Sequence, residues 1–143
     1  MKKLILSGAL MLGSFGLFAQ TSANLPQNSQ DYIKKNFSSA TIETTKEESS
    51  WEFWDKDEKY EVHLSNGIKL DFNKNGEITE IDSKNNEAIP EAALPKEVVT
   101  YVQSNYSGNK IISWEKNDDE QEVELADGTE LEFDAQGNFR KVD

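Results

Sequence analysis

The sequence has no cysteine, one histidine and three prolines among its 143 residues. Without cysteine, the chain can form no disulfide, no thiol nucleophile and no cysteine-ligated zinc site. The single histidine, His63, is flanked by apolar residues and has few of the partners that a general base or a metal site needs. We find no Gly-Xaa-Ser-Xaa-Gly, HExxH or phosphate-loop pattern. The sequence therefore predicts a protein that is not an enzyme. Its fold must be stabilised by its apolar residues alone.

Basic residues are also scarce, with 15 Lys and Arg against 27 Asp and Glu and a net charge of −12. Nucleic acid is excluded as a partner because phosphate binding needs clustered Lys and Arg. An anionic membrane surface is disfavoured for the same reason. An acidic balance is typical of solubility outside the cell, and it also allows attraction to a basic partner or to cations.

Residues 1–19 have the pattern of a signal peptide. Lys2 and Lys3 precede the apolar and small residues Leu4–Phe18, and Ala19 provides a cleavage edge. A single membrane anchor is the alternative, but a spanning helix needs about 20 apolar residues, which is more than this run contains. Removal of residues 1–19 changes the net charge from −12 to −14. We therefore expect a periplasmic or secreted protein without membrane contact after cleavage.

The rest of the sequence contains an internal repeat. Leu25-Pro26 recurs as Leu94-Pro95, and the later matches have a shorter offset. These matches are Glu61–Gly67 with Glu122–Gly128, Leu70–Asn73 with Leu131–Asp134, Gly76 with Gly137, and Asp82 with Asp143. We divide the chain into repeat 1 (residues 25–82), a linker (83–93) and repeat 2 (94–143), with eight extra residues in repeat 1 between Thr44 and Tyr60.

Each repeat predicts one helix followed by strands. Leu-Pro fits a helix start because a proline at the first helical position needs no N–H partner, and Val98 and Val102 fall on one helical face. The period then changes to two: Val62 and Leu64 alternate with polar residues before the hairpin turn at Asn66-Gly67.

The predicted fold class is α+β, with two tandem units of one helix packed on a four-stranded antiparallel sheet. Trp51–Trp54 is predicted as an early strand of the first unit. The apolar pairs Ile78 with Ile81 and Phe139 with Val142 are three residues apart, which predicts a bulge or a bend in the last strand of each unit. The helices would cover one face of each sheet and leave the opposite face open.

One motif has the spacing of a calcium-binding loop. Oxygen-bearing side chains stand at loop positions 1, 3, 5, 9 and 12, with Gly76 at position 6 and Ile78 at position 8. The candidate ligands are Asp71, Asn73, Asn75, Glu77 and Asp82. Position 12 is Asp rather than the longer Glu, and no predicted helix flanks the loop. The alternative is that Asn73–Gly76 is a turn between two strands, where Asn and Gly tolerate positive φ.

Aromatic residues provide the candidate contacts to a protein partner. Trp51, Phe53, Trp54 and Tyr60 cluster in the extra segment of repeat 1, and Trp114 lies on an early strand of repeat 2. Exposed Trp and Tyr are frequent binding anchors. The partner-binding candidates are Trp54, Tyr60, His63 and Trp114. The alternative for Trp54 is packing against a neighbouring loop or the other repeat.

Leu-Pro, a helix ending in Asn-Tyr, Val-Glu-Leu-Ala-Asp-Gly and Leu-Glu-Phe-Asp-Ala-Gln-Gly together resemble the PepSY-like family of exported bacterial proteins, also called beta-lactamase-inhibitor-like. The resemblance extends over about residues 25–143. It implies tandem units whose sheets form a curved platform, which captures a partner enzyme in the proteins that give the family its name. We expect an exported binding module that captures an exported protein on the open sheet face, as an inhibitor or a sensor. The alternative is a calcium-binding or calcium-regulated periplasmic protein. We expect no cofactor other than calcium.

Overall fold

The structure, a computed structural model, describes residues 25–47 and 60–143. Its helices and strands, in chain order, are α1 (Gln27–Asn36), β1 (Ile42–Glu47), β2 (Tyr60–Leu64), β3 (Ile68–Phe72), β4 (Ile78–Ser83), a short 3-10 helix (Glu91–Ala93), α2 (Lys96–Asn105), β5 (Ile111–Lys116), β6 (Glu120–Leu125), β7 (Glu130–Asp134) and β8 (Phe139–Val142). The predicted signal peptide and the predicted strand at Trp51–Trp54 lie outside the described residues.

All eight strands form one antiparallel sheet in the order β1 to β8. The prediction of two tandem units, each with its own four-stranded sheet, is therefore wrong. The two halves join where β4 pairs with β5 and Ile81 lies opposite Trp114, and both side chains are buried. Two separate sheets would have left two further strand edges with unpaired N–H and C=O groups. One continuous sheet pairs those groups and buries the apolar residues between them.

The predicted helix starts are close to the observed ones. Pro26 and Pro95 stand immediately before the first helical residues. The buried side of α1 includes Ile33, and that of α2 includes Val98 and Val102. No helix in residues 25–47 and 60–143 combines the length and the apolar character that crossing a membrane requires.

Both helices pack on the same face of the sheet. The ring of Tyr32 on α1 meets Phe72 edge-on at a centroid distance of 6.0 Å, and Tyr101 on α2 stacks on Phe139 at 4.4 Å. The buried Ser29 hydroxyl donates to the Gly76 carbonyl at 2.9 Å, which fixes α1 against the β3–β4 turn. These contacts place the apolar core between the two helices and one face of the sheet.

The two predicted bulges are confirmed. In β4, Ile78 pairs with Phe72 but Glu80 pairs with Asp71, so one extra residue separates the pairs. The β7–β8 pair has the same irregularity, since Phe139 pairs with Phe133. Both bulges follow from the three-residue spacing of the apolar side chains, because each apolar residue must still reach the core face.

Candidate functional site

The face of the sheet opposite the helices carries polar side chains and is called the open face below. Strand alternation produces it: on β2, Val62 and Leu64 point into the core, whereas Glu61 and His63 are half-buried on the other side. On β6, Val123 and Leu125 are likewise buried and the intervening glutamate is exposed. None of the described helices covers this face.

The strand register aligns one charged residue from every strand in a row across the open face. From β1 to β8 the row consists of Lys46, Glu61, Asp71, Glu80, Glu115, Glu122, Glu132 and Lys141. Neighbouring strands are about 4.8 Å apart, and like charges directly opposite each other destabilise a sheet. This acidic row, six carboxylates between two lysines, therefore opposes folding wherever no cation offsets it.

In the first half, basic side chains offset the acidic row. Lys69 Nζ lies 2.7 Å from Asp71 Oδ2 and 2.9 Å from Glu80 Oε1, so one ammonium group is shared by two carboxylates. Lys46 Nζ and His63 Nε2 each lie 2.8 Å from Glu61 Oε1. Hydrogen bonds from Lys46 and then His63 lower the pKa of Glu61 to about 2.

Asp71 occupies the most enclosed position of the row, at 2% exposure. Burial, supported by the neighbouring Glu80 and opposed by Lys69, raises the pKa of Asp71 to about 7. Burial alone would lower the pKa of Lys69, but its hydrogen bonds to Asp71 and Glu80 raise it. The first half of the row is thus an ionic network, in which the Oδ1 atom of Asp71 is the one side-chain atom of Asp71, Lys69 and Glu80 that is buried without a hydrogen-bond partner.

In the second half of the acidic row, only some of the carboxylates are paired with a basic side chain. Glu132 is offset, since its carboxylate lies 3.5 Å from Arg140 Nη1 and 3.0 Å from Lys141 Nζ. Glu115 and Glu122, in the middle of the row, form no ion pair with any described basic side chain. Burial, and then the charges of Glu80 and Glu122, raise the pKa of Glu115.

These two glutamates line a shallow cavity of about 240 Å³ on the open face. Its lining residues are Ser113, Glu115, Glu122, Val123, Glu124, Glu130, Leu131 and Asp143. All of its charged side chains are acidic. The open face therefore carries its least compensated negative charge over β5, β6 and β7, where Glu115, Glu122, Glu124 and Glu130 form no ion pair with a described basic side chain.

Two of the predicted partner contacts lie in the core instead. Tyr60 is 8% exposed and Trp114 is 3% exposed, and both belong to the apolar cluster under the helices. The Trp114 indole N–H donates to Gln121 Oε1 at 3.0 Å, which satisfies its polar atom inside the protein. Neither residue can serve as an exposed anchor. Of the other two candidates, His63 lies on the open face and Trp54 lies outside the described residues.

The predicted calcium ligands do not converge on one point. Asp71 and Asp82 lie on the open face, where Asp71 binds Lys69 and Asp82 binds Lys84. Asn73 closes the β3–β4 turn: its Oδ1 accepts the backbone N–H groups of Asn75 and Glu77 at 2.9 and 3.0 Å. Among the described residues, no three His, Asp or Glu side chains are grouped so as to hold a metal ion. This arrangement does not fit the loop-type calcium site, and calcium binding stays a prediction.

Part of the acidic row is visible in the sequence. Acidic residues occupy the outward positions of β6 and β7 at every second residue, as in Glu122 with Glu124 and Glu130 with Glu132. Their alignment with the carboxylates of β3 and β4, however, depends on the β4–β5 junction, which no turn motif predicts. The individual carboxylates were thus visible in the sequence, whereas their alignment across the sheet was not.

The fold and this site define a class of protein: one antiparallel sheet with helices on one face and an opposite face that no described helix covers. A family model described as "Putative beta-lactamase-inhibitor-like, PepSY-like" matches residues 58–141. The chain belongs to this PepSY-like family, as its sequence resemblance indicated. A search of curated proteins finds no match.

Three crystal structures resemble the chain over 85% of its length. One is a "putative calcium-regulated periplasmic protein" of Bacteroides thetaiotaomicron, with 34% sequence identity, a TM-score of 0.75 and 91% of its own chain covered. The others are described as periplasmic proteins of Bacteroides vulgatus, with 36% and 34% identity, TM-scores of 0.74 and 91% and 93% of their chains covered. The predicted periplasmic or secreted location is confirmed. Neither the family nor these neighbours indicates an enzymatic activity.

Proposed function

We infer that the chain is an exported protein-binding module whose open face captures a partner protein through a cationic surface. The observation that carries this proposal is the unpaired negative charge over β5, β6 and β7, which includes Glu115 and Glu122 of the acidic row. Glu115, Glu122, Glu124 and Glu130 all line the open-face cavity, and no described basic side chain is paired with any of them.

The charge pattern favours a partner with a cationic surface. Carboxylates directly opposite each other repel, so Glu115 and Glu122 reduce the stability of the free protein. Lys or Arg side chains from a partner would remove that repulsion and would form charge-assisted hydrogen bonds. Complementary charge of this kind increases the association rate and selects against acidic partners. A cationic surface of an exported protein therefore fits the open face better than an apolar one.

The choice between inhibitor and sensor depends on what the partner does, and both use the same surface. The calcium-regulated description of the Bacteroides thetaiotaomicron relative supplies the second candidate function. The Asn73 amide oxygen already accepts two backbone N–H groups. This use of a predicted calcium ligand within the turn gives calcium regulation little support in this chain.

The test is affinity capture from an exported-protein fraction, with the mature protein immobilised and bound proteins quantified by mass spectrometry. The variant Glu115→Gln/Glu122→Gln removes two charges from the cavity and retains the side-chain shape. We expect it to lose a partner that the wild type retains at low salt and releases at high salt, because screening weakens exposed charge interactions.

The matched control is Asp31→Asn/Glu87→Gln, which removes the same charge from exposed residues of α1 and the linker. It should retain the partner. If the control and the open-face variant lost the partner equally, net charge rather than the open face would explain binding. If both retained it, the proposed surface would be wrong.

A further inference from the structure

β8 is the last strand of the sheet, so its outer edge is unpaired among the described strands. The β7–β8 hairpin has the same register as β3–β4: Leu131 pairs with Val142 as Leu70 pairs with Ile81. The bulge also falls at the same position in both hairpins. β8 is therefore built as a copy of β4.

The two strands differ in what lies on their far side. β4 pairs with β5, which places Ile81 against Trp114 and leaves Ile81 fully buried. No strand from residues 25–47 or 60–143 pairs with the far side of β8. Val142, which corresponds to Ile81, is 51% exposed, and it is the one large apolar side chain that stays exposed in the described part of the chain.

The charges beside Val142 indicate the chemistry of an added strand. Glu80 lies opposite Glu115 in the β4–β5 pair, but the position corresponding to Glu80 in β8 is Lys141. Lys141 Nζ lies 3.0 Å from Glu132 and 2.6 Å from Asp143, and its side chain is 54% exposed, so it can also face a carboxylate of an added strand. A strand like β5 added to β8 would place its aromatic residue on Val142 and its acidic residue opposite Lys141.

We propose that the β8 edge binds an extended segment of a partner protein, in which a large aromatic residue is followed by an acidic one. Backbone hydrogen bonds along the edge provide affinity, and Val142 and Lys141 provide specificity, as in other cases of strand addition. This proposal does not rest on the open-face proposal, because the residues and the partner charge are different.

A synthetic peptide that copies residues 109–118, which include β5, is the probe. We expect saturable binding to the whole protein, followed by fluorescence anisotropy, with NMR shift changes confined to β7 and β8. Val142→Asp should weaken binding by about tenfold or more, since it places a carboxylate under the peptide aromatic ring. Circular dichroism and thermal melting check that this half-exposed site tolerates the change.

A charge exchange makes the test independent of folding defects. Lys141→Glu should weaken binding of the copied peptide, and a peptide carrying Glu115→Lys should regain it. Lys34→Glu on α1 is the matched control and should bind the original peptide like the wild type. Absence of binding, or binding that neither Val142→Asp nor Lys141→Glu weakens, would overturn the proposal. Self-association that Val142→Asp abolishes would also overturn it, because the occupant would then be a second copy of the chain.

Discussion

The β3–β4 and β7–β8 hairpins have the same register and the same bulge, yet one lies in the middle of the sheet and the other at its edge. Ile81 is fully buried, whereas the corresponding Val142 is half exposed. The comparison shows that a similar local sequence specifies the hairpin but not what the hairpin contacts. The neighbouring strand decides whether an apolar residue belongs to the core or to a binding edge.

The largest expected effect is a difference in stability between variants of Ile81 and variants of Val142. Ile81→Ala should lower the free energy of unfolding by about 2–4 kcal/mol because it leaves a cavity between Leu70 and Trp114. Val142→Ala should cost less than about 1 kcal/mol because its site is already half exposed. Urea denaturation of the two variants measures the difference. Equal losses would mean that the β8 edge is buried in solution.

The acidic row gives the next largest contrast. Glu115→Gln should raise the free energy of unfolding by up to about 1 kcal/mol, since it relieves repulsion from Glu80 and Glu122 and breaks no ion pair. Glu80→Gln should not, because Glu80 shares Lys69 with Asp71. Chemical denaturation at low salt checks both variants. A stabilising Glu80→Gln together with a neutral Glu115→Gln would reverse the proposed distribution of charge.

Sequence reasoning located the helices, the hairpins and both bulges, because these depend on short-range patterns. Leu-Pro, Asn66-Gly67 and the three-residue apolar spacing each act within a few residues. The β4–β5 junction could not be predicted in the same way, since Ile81 and Trp114 are far apart in the chain and no turn fixes their register. The error in fold class and the misplacement of Trp114 on the binding surface both follow from that missing junction.

The turns of the two hairpins are closed by different residues, Asn73 in the first and Asp134 in the second. Asp134 Oδ1 accepts the backbone N–H groups of Gln136 and Asn138 at 2.9 and 2.8 Å, as Asn73 Oδ1 does in the first turn. Hydrogen bonds from the side chain and then the backbone of Asn138 lower the pKa of Asp134. A carboxyl whose pKa is lowered in the folded state stabilises it above the unfolded value, near 3.9, and loses this contribution as pH falls through the folded value.

Asp134→Asn should therefore lower the melting temperature at neutral pH, and its difference from the wild type should shrink as the pH falls below about 4. Asn73→Ala removes an amide rather than a carboxyl from the turn, so its difference from the wild type should depend less on pH over that range than that of Asp134→Asn. Thermal melts between neutral and acidic pH measure both. A constant difference for Asp134→Asn would show that its charge does not stabilise the turn.

Calcium should give the smallest effect, since Asn73 and Asp134 close equivalent turns through backbone N–H groups. A functional site at a hundredfold excess of calcium would add about 2.7 kcal/mol and raise the melting temperature by several degrees. We expect a change of less than about one degree between millimolar calcium and a chelator. A larger rise that Asp71→Asn/Asp82→Asn abolishes would establish the calcium site.

Carboxyl footprinting of the complex tests the central claim, that the open face captures a cationic partner. The partner that Glu115→Gln/Glu122→Gln loses in affinity capture is purified and mixed with the wild-type protein. Both samples are then labelled with a carbodiimide and an amine. Labelling of Glu115, Glu122 and Glu124 should fall in the complex, while that of Asp31 on α1 and Glu87 in the linker should not change. Unchanged labelling of the three glutamates, with protection of Asp31 instead, would contradict the account and place the partner on the helical side.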